Sequence, residues 1–198
     1  MANATTTELE AVNIMLSSIG EAPVNSLSSG LVDAELAQTT LHNVSREVQA
    51  AGWSFNTEYN RSYALDGAGE LLLGNDVLKA DMCATRTESF DLVQRGTKMY
   101  NRAEGTYVLT DGPIKLDIVV FLDYTLLPEA ARRYITIRAA RIFQDRTIGS
   151  QELHGYQLRD EQMALTELRD SDAENADHSI FDNYSVGSVI DRLGGKVI

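Results

Sequence analysis

Apolar positions recur at two different periods along this chain, and the change of period divides it. In "ELEAVNIMLSSIGEAPVNSL" (residues 8–27), Leu9, Val12, Leu16 and Ile19 fall three or four apart, the spacing of one stripe on an α-helix. Thr7 with Glu10 three residues on is a capping-box pair. Gly20 suits the left-handed residue that closes a helix, and Pro23 forbids continuation. These signals predict a helix over about Thr7–Ser18. A second is predicted from near Asp33 to Ala51, where Ala37, Leu41, Val44, Val48 and Ala51 alternate four and three apart ahead of Gly52. That spacing suits two antiparallel helices with interlocking side chains.

From Trp53 the period becomes two. "WSFNTEY" alternates rings with small polar residues and reads as a strand. "YALDGAGELLLGND" is a Gly-rich connection around a short apolar run and fits no single element. "FDLVQ", "TKMYN", "TYVLT" and "IKLDIVVFLDY" are strand-like runs separated by "RG", "RAEG" and "DGP". Asp111-Gly112 is a hairpin signal because both residues tolerate positive φ. Ile114, Leu116, Ile118, Val120 and Leu122 would line one buried face of an antiparallel meander. Helical periodicity returns after Pro128, in "EAARRYITIRAARIFQDR", with Ala131, Ile135, Ala139, Ile142 and Phe143 as the inner stripe. "TIGS" breaks this third helix. A fourth, "QELHGYQLRDEQMALTELRDSDAEN", carries Leu158, Leu165 and Leu168 inward and acids outward.

The predicted fold is therefore α+β: a four-helix bundle from residues 1–52 and 125–178, with an antiparallel β-rich subdomain (53–124) inserted between the second and third helices. Residues 179–198 form an extended C-terminal tail. Ile180, Phe181, Tyr184, Val186, Val189 and Ile190 make it too apolar for a solvated end, yet they follow no steady period. Ordering against a partner, or packing on its own bundle, would account for both facts.

With 198 residues and 43% apolar content the chain can bury a real core, and no apolar run approaches a membrane span. "MANATTTELE" lacks the basic segment and apolar core of a signal peptide, so a cytoplasmic protein is expected. Net charge is −12 and unevenly spread. Residues 1–52 hold Arg46 as their sole base, whereas the third helix carries Arg132, Arg133, Arg138, Arg141 and Arg146 before an acidic fourth helix. These two helices could pair along their outer faces or with other chains. Arg132, Arg133, Arg138 and Arg141 are thus candidate interface residues, together with the six apolar residues of the tail. An acidic chain is repelled by nucleic acid at long range, which argues against a DNA- or RNA-binding enzyme but not against a surface past which DNA slides without sticking.

The chemical inventory is thin. Cys83 is the single cysteine and reads as a small buried apolar residue. His42, His154 and His178 lie on separate segments without metal-ligand spacing, and neither G-x-S-x-G nor a P-loop occurs. Asp76 with Asp81, or Asp117 with Asp123, could be imagined as a carboxylate pair for glycoside hydrolysis, but neither has special merit and a solvated acidic face is the favoured reading. Trp53, Phe55 and Tyr59 could stack a sugar or base, or simply glue helices to a sheet. No catalytic, cofactor or metal residue is expected.

Two blocks, the Ser-Ile-Gly-Glu-x-Pro-Val turn and the Leu-Pro-Glu-x-x-Arg-Tyr helix start, resemble the tail tubular protein A family of T7-like short-tailed bacteriophages. "GWSFNTE", the run "IVVFLDYTLLPEAARRYITIRAARIFQDRTIGS" and "DEQMA" follow in the family's order, so the likeness spans about Thr7 to Ala176 and is weakest over 60–90. The resemblance implies a structural virion protein made in the host cytoplasm. It would form a homo-oligomeric, dodecameric adaptor ring between the portal protein and the tail nozzle protein (tail tubular protein B), with tail fibre protein as a further neighbour. DNA would pass through the bore without specific binding. It also implies that the bundle docks on the portal, the β-rich part faces the nozzle, and the tail reaches along the portal. The alternative is a tail protein with added glycoside hydrolase activity using paired carboxylates.

Overall fold

The computed structural model describes residues 5–83, 91–110 and 112–175. Its elements, in order, are α1 (Glu8–Ser18), α2 (Val32–Gln49), β1 (Thr57–Tyr63), β2 (Val77–Met82), β3 (Leu92–Arg95), β4 (Lys98–Asn101), β5 (Ile114–Val120), α3 (Glu129–Thr147) and α4 (Gln151–Asn175), with a 3-10 turn at Tyr124–Leu126 before α3. The α+β class is as the hydrophobic pattern predicts.

α1 is specified at both ends. The Thr7 hydroxyl accepts from Glu10 N–H at 3.2 Å, and the Glu10 carboxylate accepts from Thr7 N–H at 2.7 Å, closing the capping box. The Thr7 N–H, and the Thr7 hydroxyl donating to the same carboxylate at 2.9 Å, lower the Glu10 carboxyl's pKa. At the other end Gly20 takes φ +83°, so that its N–H reaches Ser17 O and Glu21 N–H reaches Leu16 O, a Schellman close. The inward stripe is broader than the sequence reading: Ala11 and Met15 are buried with Val12 and Leu16, while Leu9 and Ile19 sit at its margin.

Helix directions follow from a few hydrogen bonds. Thr6 N–H donates to Glu129 at 2.8 Å and Arg132 donates to Thr6 O at 2.8 Å, so α1 and α3 start side by side. The Gln49 side chain bonds the backbone of Leu122, which sets the end of α2 beside the approach to α3 and makes the two helices antiparallel. His154 meets Asp145 at 2.9 Å, so α4 turns back along α3. α3 is the axial helix, packed against each of the other three. Ala131, Ile135, Ala139 and Phe143 bury as expected, with Ile142 half-buried. Ala51, expected on the inner stripe of α2, lies beyond the helix end and is exposed.

The β-rich part departs from the expected meander. β5 is central, antiparallel to β1 on one side and β2 on the other, and β3 and β4 form a separate hairpin turning at Gly96 with φ +63°. "TYVLT" contributes only isolated bridges, Asn101 to Thr106 and Glu70 to Val108. "WSFNTEY" is a strand only from Thr57. Asn56 N–H returns to Trp53 O at 3.1 Å, so the two rings before it sit on a turn. β5 buries Ile114, Leu116, Ile118 and Val120 on one face and Val119 on the other, the pattern of a central strand rather than of the last strand in a meander. The undecided stretch after Ala64 crosses this core, with Leu71 and Leu73 buried, and β2 was not foreseen. Asp111 lies outside the described residues.

Two buried clusters result, one among the helices and one around β5, and Leu122 touches both.

Candidate functional site

The place where helices meet sheet is built from two neutral amides. Gln49, fully buried at the end of α2, donates to Leu122 O at 2.9 Å and Ser45 Oγ at 3.0 Å, and accepts from Leu122 N–H at 2.8 Å. Asn56, equally buried, donates to Gln49 O at 3.0 Å and Val120 O at 2.9 Å, and accepts from Trp53 N–H at 2.8 Å. Every amide hydrogen and oxygen is used. A fully satisfied polar network of this kind fixes one geometry, because any slippage leaves buried groups unpaired. Trp53 and Phe55 stack with centroids 6.4 Å apart and pack against the helical core. Tyr59 does not join them and is 69% exposed on β1.

Next to this joint, the start of α3 is anchored by Arg132. Its guanidinium, buried, donates to Leu127 O at 2.8 Å, Thr125 O at 2.6 Å and Thr6 O at 2.8 Å. Tyr124 lies beneath it and shares a hydrogen bond with Thr136 at 2.8 Å. Burial pushes the Tyr124 phenol up to about 12, partly offset by the Thr136 contact.

A charged seam joins α2, α3 and α4. Arg138 reaches Glu47 on α2 and Glu161 on α4, at 3.4 Å from the latter, and also donates to the Tyr134 hydroxyl at 3.0 Å. Arg141 pairs with the same Glu161 and with Asp145 at 3.2 Å. The Glu161 hydrogen bond holds the Arg141 guanidinium above its ordinary value. Glu161 is buried, so this pairing is shielded from water in a way that surface ion pairs are not. Of the four arginines singled out as interface candidates, Arg132, Arg138 and Arg141 are therefore engaged inside the chain. Arg133 is more than half exposed and sits 3.5 Å from Glu167. The tail candidates, Ile180, Phe181, Tyr184, Val186, Val189 and Ile190, lie outside the described residues, as does His178.

The opposite end of the bundle is finished differently. There the end of α3, the start of α4 and the start of α2 leave Ile148, Leu153, Tyr156, Leu31, Val32 and Leu36 exposed. In the first half of α4, residues 151–160, none is buried, although its second half buries Ala164 and Leu168.

Neither proposed carboxylate pair is assembled. Asp76 precedes β2 and Asp81 nears its end, roughly 16 Å away along an extended chain. Asp117 is mid-β5, whereas Asp123 begins the 3-10 turn after the strand. Asp81 and Asp117 are instead cross-strand partners at a groove of about 400 Å³. There Asp81 accepts from Met82 N–H and Asp117 from Asn60 N–H, both at 2.8 Å and both serving the backbone. Cys83 is buried, its Sγ 2.8 Å from Asn60 Oδ1. His42 pairs with Glu8 at 2.8 Å across α1 and α2. Among the described residues no group of three or more His, Cys, Asp or Glu could hold a metal, and no helix is long and apolar enough to cross a membrane.

Sequence reasoning missed Gln49, Asn56, the burial of Arg132 and the role of Glu161. One signal was available. Glu161 shares the inward stripe of Ala164 and Leu168, opposite an arginine-rich helix. No curated protein matches the chain. A family model described as tail tubular protein matches residues 9–178.

Proposed function

This chain belongs to the tail tubular protein family and is a structural component of a phage tail, from which we propose that it is one subunit of a twelve-membered adaptor ring. The ring joins the portal protein to the tail nozzle protein, tail tubular protein B, with tail fibre protein adjoining, and its bore forms part of the DNA ejection channel. Subunits assemble in the host cytoplasm before joining the virion. The working units are the helical part (1–52 and 125–178), the β-rich part (53–124) and the tail (179–198). The bundle faces the portal, the β-rich part faces the nozzle, and the six apolar tail residues run along the portal.

The observation that carries this reading is the contrast within the bundle. One end is locked to the sheet by Gln49 and Asn56, and the other leaves large apolar side chains exposed on three helices. A wedge held at a fixed angle and unfinished at one end is suited to building an annulus, where shape decides closure. The charge of −12 keeps the bore from gripping phosphates. Of the four arginines, Arg133 retains the exposure an interface residue needs, and Arg132, Arg138 and Arg141 act by shaping the wedge.

Electron microscopy of the full chain mixed with its phage's portal tests the proposal. Twelve-membered collars on the portal are expected. Persistent monomers, or turnover of a sugar polymer that is lost when one carboxylate becomes its amide, would overturn it.

A further inference from the structure

α4 ends beside a groove. The Asp172 carboxylate, in the last turn of α4, accepts from the Ser54 N–H and hydroxyl, each at 2.7 Å, which holds that end of the helix against the turn at Trp53. The groove, about 360 Å³, lies between the end of α2 and the second half of α4, walled by Val48, Trp53, Tyr134 and Leu165. Trp53 is half-buried and held in place by its indole N–H, which donates to Val48 O at 2.8 Å. Every acid facing this groove is engaged: Glu47 with Arg138, Glu161 with Arg138 and Arg141, and Asp172 with Ser54. Glu167, Asp170 and Glu174 stand about 100° or more around α4 from Arg169. Arg169 lines the groove, is exposed, and forms none of the ion pairs among the described residues.

We infer that in the unassembled subunit this groove seats the root of the chain's own tail, with Ile180 and Phe181 against Trp53 and Leu165. Three observations select this occupant. The first is reach. Phe181 is six residues past Asn175, up to about 20 Å of extended chain, whereas Arg169 lies only about 9 Å back along α4. A segment tethered this closely has an advantage over any free partner, because its effective concentration is set by a short linker. The second is apolar match: Ile180 and Phe181 gain by leaving water, and the groove offers an indole, a phenol ring and aliphatic walls. The third is charge. Asp177 and Asp182 flank the apolar pair and no lysine or arginine occurs between Arg169 and Arg192, so this stretch meets Arg169 with the opposite sign. The same side chains cannot lie on the portal while they are seated here. Docking on the portal therefore releases them, a handover that rests on the ring proposed above, whereas the seating does not.

Fluorescence of the full chain, free of portal, tests the seating, because Trp53 is the single tryptophan. Phe181→Ala should shift its emission to the red and raise its quenching by acrylamide, while Val197→Ala leaves both unchanged and circular dichroism verifies the fold. No change in Phe181→Ala, or the same change in both variants, overturns the seating. So does protection that is lost on dilution, which would assign the groove to the tail of a second copy. Leu165→Cys with Phe181→Cys gives a second readout, in which the buried Cys83 does not compete. Oxidation should close a disulfide within one chain faster than it does for Leu165→Cys with Val197→Cys. Equal rates, or cross-linked dimers, overturn the seating. Chain locked by the first disulfide should form no rings on the portal until it is reduced. Rings formed by locked chain overturn the handover and leave the seating intact. Wild-type chain that never forms rings defeats the ring reading and the handover built on it, again without touching the seating.

Discussion

The two ends of the helical bundle use the same helices and finish them in opposite ways. At the sheet end, polar groups are buried and consumed: Gln49 and Asn56 satisfy each of their amide atoms, and Arg132 donates to three carbonyls. At the free end, Val32 and Tyr156 are exposed, and the charged residues beside them, Asp33 and Arg159, form none of the ion pairs among the described residues. The difference separates two jobs. Buried, fully paired groups fix the angle between helices and sheet within one subunit. Exposed apolar groups gain their stabilisation only when another surface covers them.

The comparison breaks most sharply at the joint. Asn56→Ala should remove the Asn56 partner of Val120 O and of Trp53 N–H, leave Gln49 O with Gly52 N–H alone, and cost about 2–4 kcal/mol by urea denaturation, given ~1–3 kcal/mol for each buried polar group left unsatisfied. A loss below 1 kcal/mol would mean the joint is not locked. Tyr124 sharpens the same point through pH. Its phenol is held up to about 12 by burial against an ordinary 10, so the unfolded chain loses its proton first as pH rises. The contribution of this group is intact below pH ~10 and is lost progressively toward pH ~12, by about 2–3 kcal/mol. Tyr124→Phe should flatten that alkaline decline.

Glu161→Gln should cost about 2 kcal/mol in the same denaturation, because Arg141 and Arg138 keep their charges but lose their shared carboxylate. Thr7→Ala, which opens the capping box of α1, should cost about 1 kcal/mol. The smallest effect belongs to the free end. Tyr156→Ser should change subunit stability by no more than about 0.5 kcal/mol, as expected of an exposed residue, while reducing ring formation on the portal.

The elements that sequence reveals best are those whose side chains repeat a single period. α1 was legible down to its capping box and its glycine close, and the length of α4 was legible in full. The β-rich part was legible in kind but not in order. β5 buries residues on both faces, so its partners could be any strands in the region, and alternation alone does not choose among them. The joint left no trace at all. Gln49 and Asn56 are single amides whose importance comes from the carbonyls brought to them by Val120 and Leu122, more than sixty residues away. The internal partners of the α3 arginines were hidden for a related reason. The charge of these arginines was visible, but whether Arg132 faced solvent or three backbone carbonyls depended on the turn at 124–128.

Hydrogen exchange of the free chain and of the chain assembled on its portal compares the two ends in one measurement. Slowed exchange confined to the starts of α2 and α4, with the amides around Gln49 and Asn56 already protected in the free chain and unchanged, is the predicted result. Protection that appears at the joint only on assembly, with the free end unaltered, would contradict the account.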